Sequence, residues 1–145
     1  MTRRNYRVIR ALFLGVLALG LVGTGVELLL LGHDETVMQW IPLGLIVAGL
    51  SVTTWYLIAE SHASLLGMQV TMIAFVTAGA LGVVLHLAGS VQFQRELDPS
   101  VQGFTLLIKA MQSKAPPALA PGTMTYMGLM GLVCTHLFKN RGENI

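Results

Sequence analysis

Formal charge is missing from long stretches of this chain. No Asp, Glu, Lys or Arg falls between Arg10 and Glu27, between Glu35 and Glu60, or between Glu60 and Arg95. Such stretches cannot cover a water-soluble globule, which carries about a quarter charged residues. Here 11% of 145 residues are charged and 54% are hydrophobic. A soluble enzyme, a nucleic-acid binder and a disordered tail are all poor readings of that balance. A bilayer core is about 30 Å thick, and one helix needs about 20 apolar residues to cross it. Four crossings fit the length, and five leave almost no connections.

The expected fold is an all-α integral membrane protein, one membrane domain from 1 to 145 built as a four-transmembrane-helix bundle. The spans are expected at about 11–31, 40–59, 66–88 and 121–138. Pro42 fits the first turn of the second span, where a missing N–H costs nothing. Trp40, Trp55 and Tyr56 fit interfacial anchors. An outer loop at 89–120 is expected to hold a short amphipathic helix at about 99–112. Asp98 would serve as its N-cap and Pro99 as its first residue. Val101, Phe104, Leu107, Ile108 and Met111 recur there at helical spacing, so the helix should lie on the membrane surface or cap the bundle. The stretch from Ala115 to Pro121 reads as extended and stiff.

Orientation follows from counting Lys and Arg. With both termini cytoplasmic, the inner side holds Arg3, Arg4, Arg7, Arg10, Lys139 and Arg141, and the outer side holds Arg95, Lys109 and Lys114. The expected location is therefore the inner (plasma) membrane, multi-pass, with both ends inside. Arg3-Arg4 resembles part of a twin-arginine signal. The long apolar run after it has no A-x-A site, which favours an uncleaved anchor. The basic N-terminal stretch reads as a topology signal and not as a nucleic-acid patch. Cys134 stands alone, with no disulfide framework and no CxxC pair.

Helices in lipid associate by close backbone approach, so small residues mark interfaces. The inward faces are expected to be Gly15, Gly23 and Glu27 with Gly20 and Thr24 in the first span, and Gly44 and Ala48 in the second. Ala74, Ala78, Gly82 and His86 fill that place in the third, and Gly128, Gly131 and Thr135 in the fourth. The methionines read as packing filler.

Glu27 is the one charge inside a span, and a carboxylate facing lipid costs several kcal/mol. Glu27 and His86 fall at similar depth near the outer ends of the first and third spans, so they are expected to meet, directly or through water. Three uses compete. One is a structural clasp. Another is a metal or proton site built from Glu27, His33, His86 and Glu96, with Asp34 or Glu35 in reach, since carboxylate and imidazole suit zinc or a non-haem metal. The third is a cofactor pocket for a lipid head group or quinone, with Glu27, His86 and Tyr126 joined by Thr123. Haem would need two facing histidines. The candidates are His33 with His86 on the outer side and His62 with His136 on the inner side. Ser61, His62 and Ser64 are neighbours in a turn, with no acid and no oxyanion device. No P-loop or nucleotide turn is present, and a channel would need a polar row through the spans.

The stretches Gly23-Thr24-Gly25-Val26-Glu27-Leu28-Leu29-Leu30-Leu31-Gly32-His33, Leu81-Gly82-Val83-Val84-Leu85-His86 and Ala118-Leu119-Ala120-Pro121-Gly122-Thr123-Met124 resemble those of small uncharacterised four-span bacterial inner-membrane proteins. The resemblance implies the fold and no activity. The expected function is a non-catalytic accessory or scaffold subunit of a larger membrane complex. It would contact the lipid bilayer and either other membrane subunits or itself, with no nucleic acid involved. The alternative is a small metal-, haem- or lipid/quinone-binding membrane protein using Glu27 and His86.

Overall fold

The computed structural model describes residues 3–33, 35–59, 61–112 and 119–142, and every regular element in them is a helix. These are α1 (Arg3–Leu30), α2 (Val37–Ala59), α3 (His62–Leu97), α4 (Gly103–Met111) and α5 (Leu119–Gly142). Asp34, Glu60, Lys114 and residues 115–118 of the expected stiff stretch lie outside the described residues, while its last three residues, Leu119 to Pro121, are not extended but form the first turn of α5. The α1–α2 turn marks the upper end of the molecule and the α2–α3 turn its lower end.

Three helices, α1, α2 and α3, are long and apolar enough to cross a membrane, not the four expected. The fourth expected span is a helix, α5, of 24 residues. Gly122, Thr123, Thr125, Gly128, Gly131 and Thr135 hold its apolarity down, and the fold supplies the reason. The long helices form a ring in the order α1, α2, α3, α5, and α5 packs far more extensively on α3 than any other pair does. Thr125, Gly128 and Gly131 lie in that contact.

The two helices run antiparallel with almost no side chain between their axes. A Cβ added at Gly79 would lie 2.6 Å from the carbonyl oxygen of Pro121 and 2.7 Å from the amide nitrogen of Thr125. One added at Gly128 would lie 2.7 Å from the carbonyl oxygen of Met72. Gly82 abuts the ring of Pro121, and Gly131 abuts the side chain of Met72. The expected inward face of the fourth span, Gly128, Gly131 and Thr135, is therefore the one used, and Gly82 belongs to its partner.

Elsewhere the small-residue expectation needs correction. Gly15, Gly23 and Glu27 face outward, as do Gly44 and Ala48. A bulkier stripe is buried on α1: Arg10, Leu14, Leu17, Leu21, Thr24 and Leu28. Its alternating spacing of four and three is a heptad seam, which packs by side-chain interdigitation and needs no glycine. On α2 the close approach falls at Gly49, whose added Cβ would lie 3.0 Å from the ring of Phe75. Together with Met68, Met72, Met124 and Met127, these residues make one core.

The lower end is closed by Arg10. Its guanidinium donates to the carbonyl of Tyr56 and, at 3.3 Å, to that of Leu57, and it sits 4.6 Å over the Tyr56 ring. Both carbonyls belong to the last turn of α2, which has no intrahelical donors left. A cation at that end also meets the negative pole of the helix. Arg10 is thus more than a topology signal, and Tyr56 is a buried partner rather than an interfacial anchor.

Three boundaries differ from expectation. α2 starts at Val37, so Pro42 is its sixth residue and lies beyond the first turn. α3 continues to Leu97 instead of ending near 88, because Gln92, Gln94, Arg95 and Glu96 are good helix formers. Gln92 bonds Glu96 one turn on at 3.1 Å. Asp98 then ends α3 and does not start α4: it precedes Pro99, which disfavours helical backbone, and its φ of −146° is extended. Its carboxylate accepts from the amide of Ser100 at 3.1 Å and from its hydroxyl. The short helix begins only at Gly103.

Replacing Gly79 or Gly128 by Ala is expected to cost about 1–3 kcal/mol, the range for overpacking a tight core. Backbone atoms oppose both added methyl groups and cannot step aside. Gly131→Ala should cost less, because the flexible Met72 side chain can move. Thermal unfolding of the three variants in detergent, monitored by helical circular dichroism, checks the order. Arg10→Met should also destabilise, leaving two α2 carbonyls without their donor.

Candidate functional site at the upper end

The upper end brings two histidines together. α1 closes in a Schellman motif: the amide of Gly32 bonds the carbonyl of Leu29 at 3.1 Å, and that of His33 bonds Leu28 at 2.9 Å. Gly32 has φ +64°, which only glycine adopts without penalty. The motif swings His33 back over the bundle, where its ring stacks on that of His86 from α3, with centroids 6.3 Å apart and planes 22° apart. Burial, and then the charge of His86 beside it, hold the His33 pKa below the ordinary histidine range.

His86 therefore meets His33, and no hydrogen bond or ion pair joins it to Glu27. The reason is angular. Leu28 occupies the buried seam of α1, so Glu27, one residue earlier, is turned about 100° away from it. Glu27 is exposed and makes no hydrogen bond or ion pair among the described residues. Tyr126 is 66% exposed and faces out of the bundle. Glu96 is spent on Gln92. Among the described residues, no group of three or more His, Cys, Asp or Glu is placed to hold a metal ion. His62 and His136 are exposed near the lower end.

Most of the hydroxyls inside the long helices are satisfied locally. Ser51, Thr54, Thr77, Thr123, Thr125 and Thr135 each donate to a carbonyl three or four residues back in their own helix. Thr53 reaches the sulfur of Met68. Ser61 and Ser64 form the capping box of α3, each side chain bonding the other's backbone amide. They are occupied as structural groups, and these bonds form no polar row across the bundle.

Two contacts go beyond the expectations: Arg10 on α2 is not among them, and His33 with His86 is named there only as a candidate haem pair and within the metal set, with Glu27 expected as the partner of His86. A signal existed for the first: Arg10 stands in heptad register with Leu14, Leu17, Leu21, Thr24 and Leu28. The second had only Gly32 as a hint, a glycine directly after an apolar helix. No family model, curated protein or solved structure matches the chain.

The His33 shift makes stability depend on pH. A histidine whose pKa is lowered on folding binds fewer protons folded than unfolded, so its contribution is lost as pH falls through about 6.5. Between pH 7.5 and pH 5.5 the unfolding temperature should drop, and His33→Gln should flatten that dependence. An equal slope in both proteins would rule out His33 as its source.

Proposed function

We propose that this chain is a non-catalytic integral membrane subunit that works by helix assembly, with the outward face of α1 as its docking edge. The observation that carries this reading is Glu27. It is the one formal charge inside the apolar part of α1, and it is exposed. Insertion scales put a carboxylate at the middle of a span at about +2.5 to +3.5 kcal/mol. Glu27 lies one turn from the helix end, where the cost is smaller, yet a donor from a neighbouring helix would remove it. Gly15 and Gly23 share this side, and nothing lies within 4 Å of a Cβ added at either. Close helix approach is therefore open there.

In this reading α5 crosses the bilayer with α1, α2 and α3, its modest apolarity offset by its packing on α3. Both termini are cytoplasmic and the membrane is the bacterial inner membrane, in keeping with the resemblance to small four-span proteins. The partner is another membrane subunit or a second copy. A second reading, a metal-, haem- or quinone-binding protein, rests on the His33–His86 pair. It lacks a third ligand among the described residues. Metal analysis and an absorption spectrum of the purified protein separate the two.

Gly15→Leu with Gly23→Leu should leave the unfolding temperature within experimental scatter, because both sites are open. The same pair, and Glu27→Leu separately, should abolish cross-links from α1 to its neighbour in native membranes. Mass spectrometry of the cross-linked species reads the partner. An intact cross-linking pattern in both variants would sink the assignment of α1.

A further inference from the structure

The short helix α4 divides round its circumference into three faces. Leu106 and Ala110 are buried, and α3 is the element α4 packs against. Thr105 and Lys109 lie on a second face, where Lys109 reaches the Asp98 carboxylate at 3.7 Å. The third face holds Phe104, Leu107, Ile108 and Met111, exposed at 76%, 44%, 40% and 47%. Their spacing of three, four and seven aligns them in one stripe. In water this stripe would be a liability.

Its level in the molecule says what covers it. α5 follows α3 only as far as Gly82, where Pro121 abuts. Beyond that point α3 runs on for about 22 Å at 1.5 Å per residue. The overhang begins apolar, with Val84 and Leu85 exposed, and gains its first polar and charged residues at Gln92, Gln94, Arg95 and Glu96, with Phe93 and Leu97 exposed among them. The His33–His86 stack ties the α1–α2 turn to α3 at the start of the overhang. A turn between two crossing helices lies at the membrane boundary, so His86 marks that boundary on α3. From His86 to Leu97 is about 16 Å, and α4 packs on α3 within that reach.

α4 is therefore held beside the head-group layer. On α3, Val84 and Leu85 are exposed just before His86, on the membrane side of that boundary. A protein partner fits poorly. The stripe measures about 11 Å by about 10 Å from helix rise and width, whereas a stable interface takes about 800 Å² from each partner. The polar face lies about 100° round, where a helix resting in the interface keeps its cations in water.

We propose that α4 is an interfacial anchor whose Phe104, Leu107, Ile108 and Met111 insert between the acyl chains and head groups of the bilayer that α1, α2 and α3 cross. The anchor is independent of the α1 docking edge. It holds the end of α3 at a set height, because the Lys109–Asp98 ion pair and the Leu106 contact lock α4 to α3.

Site-directed spin labelling of the full chain in phosphatidylcholine vesicles tests this. Cys134 is buried, so introduced cysteines label selectively. Labels at Phe104→Cys, Leu107→Cys, Ile108→Cys and Met111→Cys should collide several-fold more with oxygen than with a water-soluble nickel chelate. Thr105→Cys and Lys109→Cys should show the reverse. Water-like collisions at all six positions would overturn the anchor, and so would spin–spin coupling between copies at the stripe, which would name a second copy as its cover. Leu85→Cys serves as the reference. If it too reports water, the membrane reading itself fails and not the placement of α4. Should a label disturb folding, Phe104→Trp in a Trp40→Phe, Trp55→Phe background with brominated lipids gives a second measurement: quenching supports insertion, and no quenching rejects it.

Discussion

The bundle depends on the contact between α3 and α5. Helices in lipid gain nothing from hiding apolar surface, because lipid is as apolar as leucine; they gain from dispersion at close range. Gly79 and Gly128 bring backbone against backbone at distances no other residue allows. That contact aligns α5 against α3 from Met72 to Gly82, and α1 then closes the ring against α5 and α2. The residues that permit the approach are also those that lower the apolarity of α5. One set of glycines and threonines thus explains why α5 is the most closely held helix and the least membrane-like in composition.

Two polar devices finish the bundle at opposite ends. At the lower end Arg10 closes the carbonyls of α2, a charge-assisted interaction among the stronger hydrogen bonds a protein makes. At the upper end a Schellman turn delivers His33 to His86. Between the two ends, serine and threonine hydroxyls return to their own helices. Glu27 is the one formal charge between them in α1, exposed and with no ion pair among the described residues, which is why the functional reading turns on it.

The end of α3 gives the molecule its asymmetry. A 36-residue helix is about 54 Å long, well beyond a hydrocarbon core of about 30 Å. Its excess does not hang free, since α4 folds back along it. The Ser100 bonds and then Lys109 keep the Asp98 carboxyl below the usual carboxylate range, so the hinge between α3 and α4 stays charged across the physiological range.

Much of this was legible from the residues alone, and the rest was not for definite reasons. The absence of charge from Ala11 to Val26 and from Thr36 to Ala59 determined helices long and apolar enough to cross a membrane, since a chain in lipid must satisfy its backbone within helices or closed barrels. The small residues of α5 marked their own interface correctly. Those of α1 and α2 did not, because a helix with two possible seams shows both in its sequence. The heptad of Arg10, Leu14, Leu17, Leu21, Thr24 and Leu28 competed with the four-spaced Gly15, Gly23 and Glu27. Tertiary packing chose the first, since interdigitating leucines fill the space beside α2 and α5. That choice turned Glu27 outward and left His86 to His33. Spacing fixes which residues share a face, and only the neighbours decide which face is buried.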